Sequence, residues 1–144
     1  MINIDVAALG DWAERRNLGY SGYADLAAKA EVYALVTECI EKVNVDLASD
    51  PKLATSQITR FVILHKELDA DDGELTRTRK VRRNIIAEKY AVIIDALFSN
   101  VDHCEIEAEM KFEDGRSGVV RADLKIGDVK TFAAKLANAE RIAA

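Results

Sequence analysis

Apolar positions recur at helical spacing through the first half of the chain and alternate with charge in the last third. Asp5 is placed to cap a helix running to about Arg16, with Trp12 as its large apolar anchor. Met1 to Ile4 before it reads as a short strand, and Gly19 and Gly22 frame a loop around Tyr20 and Ser21. A second helical region starts near Tyr23, with a core stripe of Tyr33, Val36, Ile40, Val43 and Leu47 at steps of three and four. Asp50-Pro51 ends it, because proline cannot continue a helix and restricts the residue before it. Ile58 to His65 predicts a strand whose continuous apolar run, Phe61 to Leu64, suits burial on both faces. Asp71-Asp72-Gly73 signals a turn, and a helix from about Val81 to Phe98 follows, with Ile86, Tyr90, Ile93 and Leu97 buried.

After residue 100 the period changes from helical to alternating. Glu105, Glu107, Glu109 and Lys111 alternate with Ile106, Ala108, Met110 and Phe112. A turn at Asp114-Gly115 leads to Val120, Ala122, Leu124 and Ile126 alternating with Arg121, Asp123 and Lys125. This predicts an antiparallel hairpin with one wet face. Lys130 to Ala144 is Ala-rich, a terminal helix or a frayed tail. The expected fold class is α+β: a small central β-sheet covered by helices, in a body of residues 1–100, with an extra C-terminal β-hairpin and tail over residues 101–144.

The size, 144 residues, suits one domain with at most a small appendage. With 49% hydrophobic and only 6% aromatic residues, the core must be mostly aliphatic. No apolar run approaches the roughly 20 residues of a membrane span, and the start carries no basic, then apolar, leader pattern, so a cytoplasmic location is expected. Two cysteines, Cys39 and Cys104, are too few for a disulfide framework or a zinc site, and no metal site is expected.

Against a net charge of -5, Arg77, Arg79, Lys80, Arg82 and Arg83 crowd into seven residues with no acid among them. The overall acidity argues against a dedicated nucleic-acid binder. The local cluster points to a polyanionic ligand, since cations gather where phosphate must be held. Placed at a helix start, five cations would oppose the helix dipole without such a ligand. Other side chains have plainer readings. Trp12, Tyr20, Tyr23 and Cys39 are expected in packing, His65 as a partly exposed strand-end residue, and the hairpin glutamates on the wet face.

Around the basic cluster the chain resembles a known family. Trp12-Ala13-Glu14, Tyr20 to Leu26, Val43-Asn44 with Leu47, Gln57 to Leu64, Gly73 to Arg83 and Glu88-Lys89-Tyr90 stand in the order and spacing of the C-terminal domain of adenylate-forming enzymes. The resemblance, spanning about Trp12 to Phe98, is to the long-chain fatty acid–CoA ligases (acyl-CoA synthetases). It implies the mobile lid of a two-step enzyme, in which ATP activates a fatty carboxylate as acyl-adenylate and CoA thiol then takes the acyl group. It places the family's catalytic lysine on Lys80, with Arg79, Arg82 and Arg83 as contacts for nucleotide or CoA phosphates. It implies ATP with Mg2+, CoA and a fatty acid as substrates of the full-length enzyme, none held tightly by this domain. It also implies a large N-terminal adenylation domain as partner, without which the lid is inactive, and leaves open a peripheral membrane association of the whole enzyme.

The chain departs from the family pattern in several places. The family's Thr/Ser/Gly-rich phosphate loop and its hinge motif are missing from the sequence. Arg77 and His65 stand where the family usually has proline. Two other readings remain open: a non-enzymatic remnant that docks onto a ligase in trans, and a phosphate- or nucleic-acid-binding module.

Overall fold

The computed structural model describes residues 1–111 and 117–135. Its elements are helices α1 (Val6–Glu14), α2 (Tyr23–Ala28) and α3 (Ala30–Ser49), a 3-10 turn (Ala54–Ser56) and strand β1 (Arg60–Val62). Helices α4 (Arg83–Lys89) and α5 (Ala91–Leu97) follow, then strands β2 (His103–Lys111) and β3 (Ser117–Asp128). The three strands form one antiparallel sheet in the order β1-β3-β2, so the class is α+β. The predicted turn at Asp114-Gly115, Phe112 and the tail beyond residue 135 lie outside the described residues.

The apolar run at β1 is buried because it lies between two cores. Phe61 and Ile63 join Leu26, Val32, Tyr33 and Ile40 from the first three helices. Val62 and Leu64 join Ile86, Tyr90, Ile93, Leu124 and Ile126 from the later elements. Successive strand residues point to opposite faces, so four consecutive apolar residues serve both layers. Each such side chain contributes on the order of 1.5–3 kcal/mol by leaving water.

Backbone pairing extends the strand at both sides. Val62 O accepts from Ile2 N at 2.9 Å, and Ile2 O from Leu64 N at 2.9 Å, a single parallel bridge in place of a full N-terminal strand. On the other edge Arg60, Phe61 and Val62 pair with Asp128, Gly127 and Ile126. The late hairpin therefore supplies two of the three strands, and its pairing crosses the point at residue 100 where the sequence pattern changes character. Arg60 links sheet to helix. Its Nε lies 2.8 Å from Asp128, and its Nη1 donates to the carbonyls of Ala96 at 3.3 Å and Leu97 at 3.4 Å. The same guanidinium reaches the carbonyls of Ser99 and Val101. It thus satisfies carbonyls that the end of α5 leaves without helical partners.

Three details depart from the periodicity. Asp5 caps α1 as expected, its Oδ1 accepting from Ala8 N at 3.1 Å. In α3, however, the buried positions from Ile40 onward are Asn44 and Ala48, while Val43 is 48% exposed. The helix turns that face inward because Asn44 is needed there. Its amide donates to Ile58 O (2.7 Å) and Lys130 O (2.9 Å), and its Oδ1 accepts from Ile58 N (2.8 Å). The expected helix over 81–98 is two short helices, joined at Tyr90 with φ -109° and ψ 23°. Cys39, expected in the core, is exposed on α3. Among the described residues no helix is long and apolar enough to cross a membrane.

A Cβ at Gly127 would stand 2.5 Å from Phe61 Cε1 and 2.8 Å from its Cζ. Phe61 is 2% exposed and stacked on Tyr33, so its ring has little room to yield. Gly127→Ala is expected to lower unfolding stability by about 1–3 kcal/mol, as overpacking does. Urea titration followed by circular dichroism checks this.

Candidate functional site

The basic cluster is not a helix start but a tight hairpin. Leu75 and Val81 form an antiparallel bridge, and Arg82 N donates to Glu74 O at 2.9 Å across its base. Gly73 enters the hairpin with φ 75°, a conformation glycine adopts without a Cβ penalty. Thr76 then holds the backbone of Lys80 on both sides. Its N–H donates to Lys80 O at 2.8 Å, and its Oγ1 accepts from Lys80 N at 3.0 Å. Arg79 N donates to Thr76 O at 2.9 Å, and Arg79 itself is left-handed at φ 58°. A non-glycine residue there costs roughly 1–2 kcal/mol, which the hydrogen bonds around it offset.

Residues Arg77 to Arg83 are all exposed. Only Arg83 lies within α4, whose seven residues start there. The dipole argument therefore concerns Arg82 and Arg83, and the hairpin carries Arg77, Arg79 and Lys80 clear of it. Among the described residues none of these five cations is paired with a carboxylate.

Two nearby acids, Glu74 and Asp72, are engaged elsewhere. Glu74 is 0% exposed, a carboxylate wholly inside the domain. Its Oε1 accepts from Tyr90 OH at 2.7 Å and lies 2.8 Å from Lys89 Nζ. Its Oε2 accepts from Asp69 N at 2.9 Å and lies 3.3 Å from Lys66 Nζ. Asp72 bridges the same two lysines, bonded to Lys66 and 3.5 Å from Lys89. Burial alone would push the Glu74 carboxyl up; the bonds from Lys89, Asp69 N–H and Tyr90 and the charge of Lys66 outweigh it and hold it below the ordinary value. The bond from Lys66 likewise lowers Asp72. Burial opposes the charge on Lys89, but Glu74 and Asp72 prevail and raise it. Burial and the Glu74 carboxylate together push the Tyr90 phenol up.

Beside the hairpin lies a groove of about 1030 Å³, lined by Leu64, Leu68, Leu75 and Ile86 and by Arg77 and Arg79. His65 belongs to a separate cavity of about 180 Å³ with Ala27, Tyr33 and Lys125. Its two ring nitrogens have no hydrogen-bond partner, and burial together with the charge of Lys66 lowers its pKa. Arg77, Arg79, Lys80, Arg82 and Arg83 are thus exposed on the hairpin and its exit, Arg77 and Arg79 line the groove, and His65 lies in the other cavity. Tyr20 and Tyr23 serve packing: both border the first core, and Tyr23 OH accepts from Ile4 N at 3.2 Å. Among the described residues no group of three His, Cys, Asp or Glu side chains is placed to hold a metal ion.

Glu74, Lys66, Lys89 and Tyr90 form a network beside the basic cluster that sequence reasoning did not assign. Glu74 and the Lys89-Tyr90 pair both stand in the strings that carry the family resemblance. What was missing is the fold-back that joins them across sixteen positions.

The network sets an acid limit on stability. A carboxyl lowered by folding contributes fully above its ordinary pKa of about 4, and the contribution is lost as pH falls through the lower folded value. Urea midpoints are expected to fall below about pH 4, and Glu74→Gln is expected to flatten that fall. Glu74→Ala, which leaves Lys89 and Tyr90 without their buried partner, is expected to cost about 3–5 kcal/mol at pH 7.

Comparison with known proteins gives a consistent relationship. The long-chain-fatty-acid–CoA ligase FadD15 of Mycobacterium tuberculosis is 30% identical over 100 residues, covering 69% of this chain and 16% of that protein. A fatty-acid–CoA ligase described as putative, fadD11 of the same species, is 33% identical over 100 residues, with the same coverage of 69% and 16%. The long-chain-fatty-acid–CoA ligase ACSBG1 of Bos taurus is 34% identical over 67 residues, 46% of this chain and 9% of that protein. The chain therefore spans about 16% of the length of the mycobacterial relatives it matches. No family model matches the chain, and no solved structure matches it.

Proposed function

We propose that this chain, similar in sequence to a segment of the long-chain fatty-acid–CoA ligases, is the catalytic lid of such an acyl-CoA synthetase. In this reading a large N-terminal domain holds ATP, Mg2+ and the fatty acid. The lid brings Lys80 to the point where the carboxylate attacks the α-phosphorus. Two anions approach each other there, and charge builds on the phosphoryl oxygens. An ammonium between them offsets that charge. Pyrophosphate leaves and the acyl-adenylate remains. The lid then turns away, the CoA thiol attacks the acyl carbon, and AMP departs as the thioester forms. Arg79, Arg82 and Arg83 contact nucleotide or CoA phosphates, as bidentate guanidinium donors can.

The observation that carries this reading is the state of Lys80. Its backbone is pinned by Thr76 on both sides, and its side chain is exposed with no carboxylate partner among the described residues. A lysine that must deliver charge to another body needs a fixed base and a free end. The isolated chain should not form acyl-CoA, because the nucleotide pocket belongs to the other domain.

The test mixes this chain with a fatty-acid–CoA ligase body lacking its own small domain and follows ATP–pyrophosphate exchange. The wild-type chain is expected to restore exchange, and Lys80→Ala to lower it about 100-fold or more, the scale of losing one electrostatic transition-state contact. Equal exchange with the two chains would refute the assignment of Lys80.

A further inference from the structure

We infer that Glu74 is the positioning residue of this site: its buried carboxylate, gripped from both sides, fixes the base of the hairpin from which Lys80 projects. This rests on the reading that Lys80 serves adenylation. The geometry is specific. One carboxylate oxygen takes the Tyr90 hydroxyl and Lys89 ammonium, at the junction of α4 and α5. The other takes the Asp69 N–H and faces Lys66, on the segment that leaves β1. The same residue's carbonyl receives Arg82 N, closing the hairpin, and its N–H bonds Asp69 O at 3.0 Å. Glu74 therefore ties three pieces of chain to one point: the exit from β1, the root of the hairpin and the helix junction.

A charge at 0% exposure is a costly way to join three segments. A well-packed apolar side chain often does so at equal or better stability, while an ion pair imposes direction. Direction is what a delivered lysine needs, since misplacing a reacting group by about 1 Å can cost about 100-fold in rate. Lys80 touches none of the Glu74 network, so any effect of Glu74 on it must travel through the hairpin backbone. The path is short: Glu74 O to Arg82 N, the Leu75–Val81 bridge, then the paired bonds of Thr76 and Lys80.

The experiment uses the chain's own trypsin sites. Arg77, Arg79, Lys80, Arg82 and Arg83 are exposed on the hairpin and its exit, and Lys52 is exposed on a distant turn. If Glu74 holds the hairpin, Glu74→Gln is expected to raise cleavage over 77–83 about ten-fold relative to cleavage at Lys52, a local opening. Tyr90→Phe, which keeps the carboxylate and both lysines, is expected to raise it by a smaller factor and covers the case in which Glu74→Gln does not fold. Hairpin cleavage unchanged, or rising only in step with Lys52, in a variant that retains the native circular dichroism overturns the inference. In the exchange assay, folded Glu74→Gln is expected to lower kcat with the KM for ATP unchanged. Full exchange by that variant overturns the positioning role and leaves the Lys80 reading standing. Full exchange by Lys80→Ala overturns the adenylation reading, while the cleavage ratio still decides whether Glu74 fixes the hairpin.

Discussion

One buried carboxylate organises the surface that matters here. Glu74 cannot be solvated, so its charge must be met inside the fold, and the groups that meet it come from two other segments, Lys66 with Asp69 and Lys89 with Tyr90. That requirement orders the chain between β1 and α5. It pairs Lys66 and Lys89 with Glu74 and engages Asp72 with both. The outcome is a division of charge. Glu74, Asp72 and two lysines neutralise one another at the base, and Lys80 with the arginines of the hairpin and its exit is left unpaired among the described residues. Internal pairing thus takes the charges of Glu74 and Asp72 away from the basic cluster on an otherwise acidic chain.

The rest of the fold supports that base. β1 lies between two aliphatic cores, and its neighbours on either side hold it by backbone bonds. Arg60 and Asn44 perform related tasks with opposite chemistry. Arg60 gathers carbonyls at the end of α5, while the neutral amide of Asn44 joins α3 to Ile58 and Lys130 through both donor and acceptor. Both are polar residues spent on orphan backbone groups, the usual condition for burying a polar side chain. The strand that precedes the hairpin is thereby fixed before the hairpin begins.

Much of this was legible in the sequence, for physical reasons. The apolar run at 61–64 has no reading except burial on both faces, and the alternation of β2 and β3 has a period that only a sheet satisfies. The cap at Asp5 and the stop at Pro51 are local chemistry, and both stand where local rules put them. The failures are tertiary. The stripe on α3 turns at Asn44 because distant carbonyls require an amide. The long helix breaks at Tyr90, the residue whose hydroxyl is bonded to Glu74. From sequence the basic cluster reads as the approach to a helix, because hydrophobic period carries no information about a seven-residue hairpin closed by threonine. Lys80 could be singled out from the motif; the burial of Glu74 beneath its hairpin could not, because that depends on the fold-back that brings Lys89 and Tyr90 to it.

The central claim is that the Lys80 amine is free in this chain and engaged only when a nucleotide-bearing body is present. Quantitative acetylation of lysines with acetic anhydride, read by mass spectrometry, tests this directly. Lys80 is expected to react as fast as the exposed Lys52 in the chain alone. It is expected to be protected when a ligase body lacking its small domain, ATP and a fatty acid are added together. Slow reaction in the isolated chain, or equal reaction in both conditions, would contradict the account.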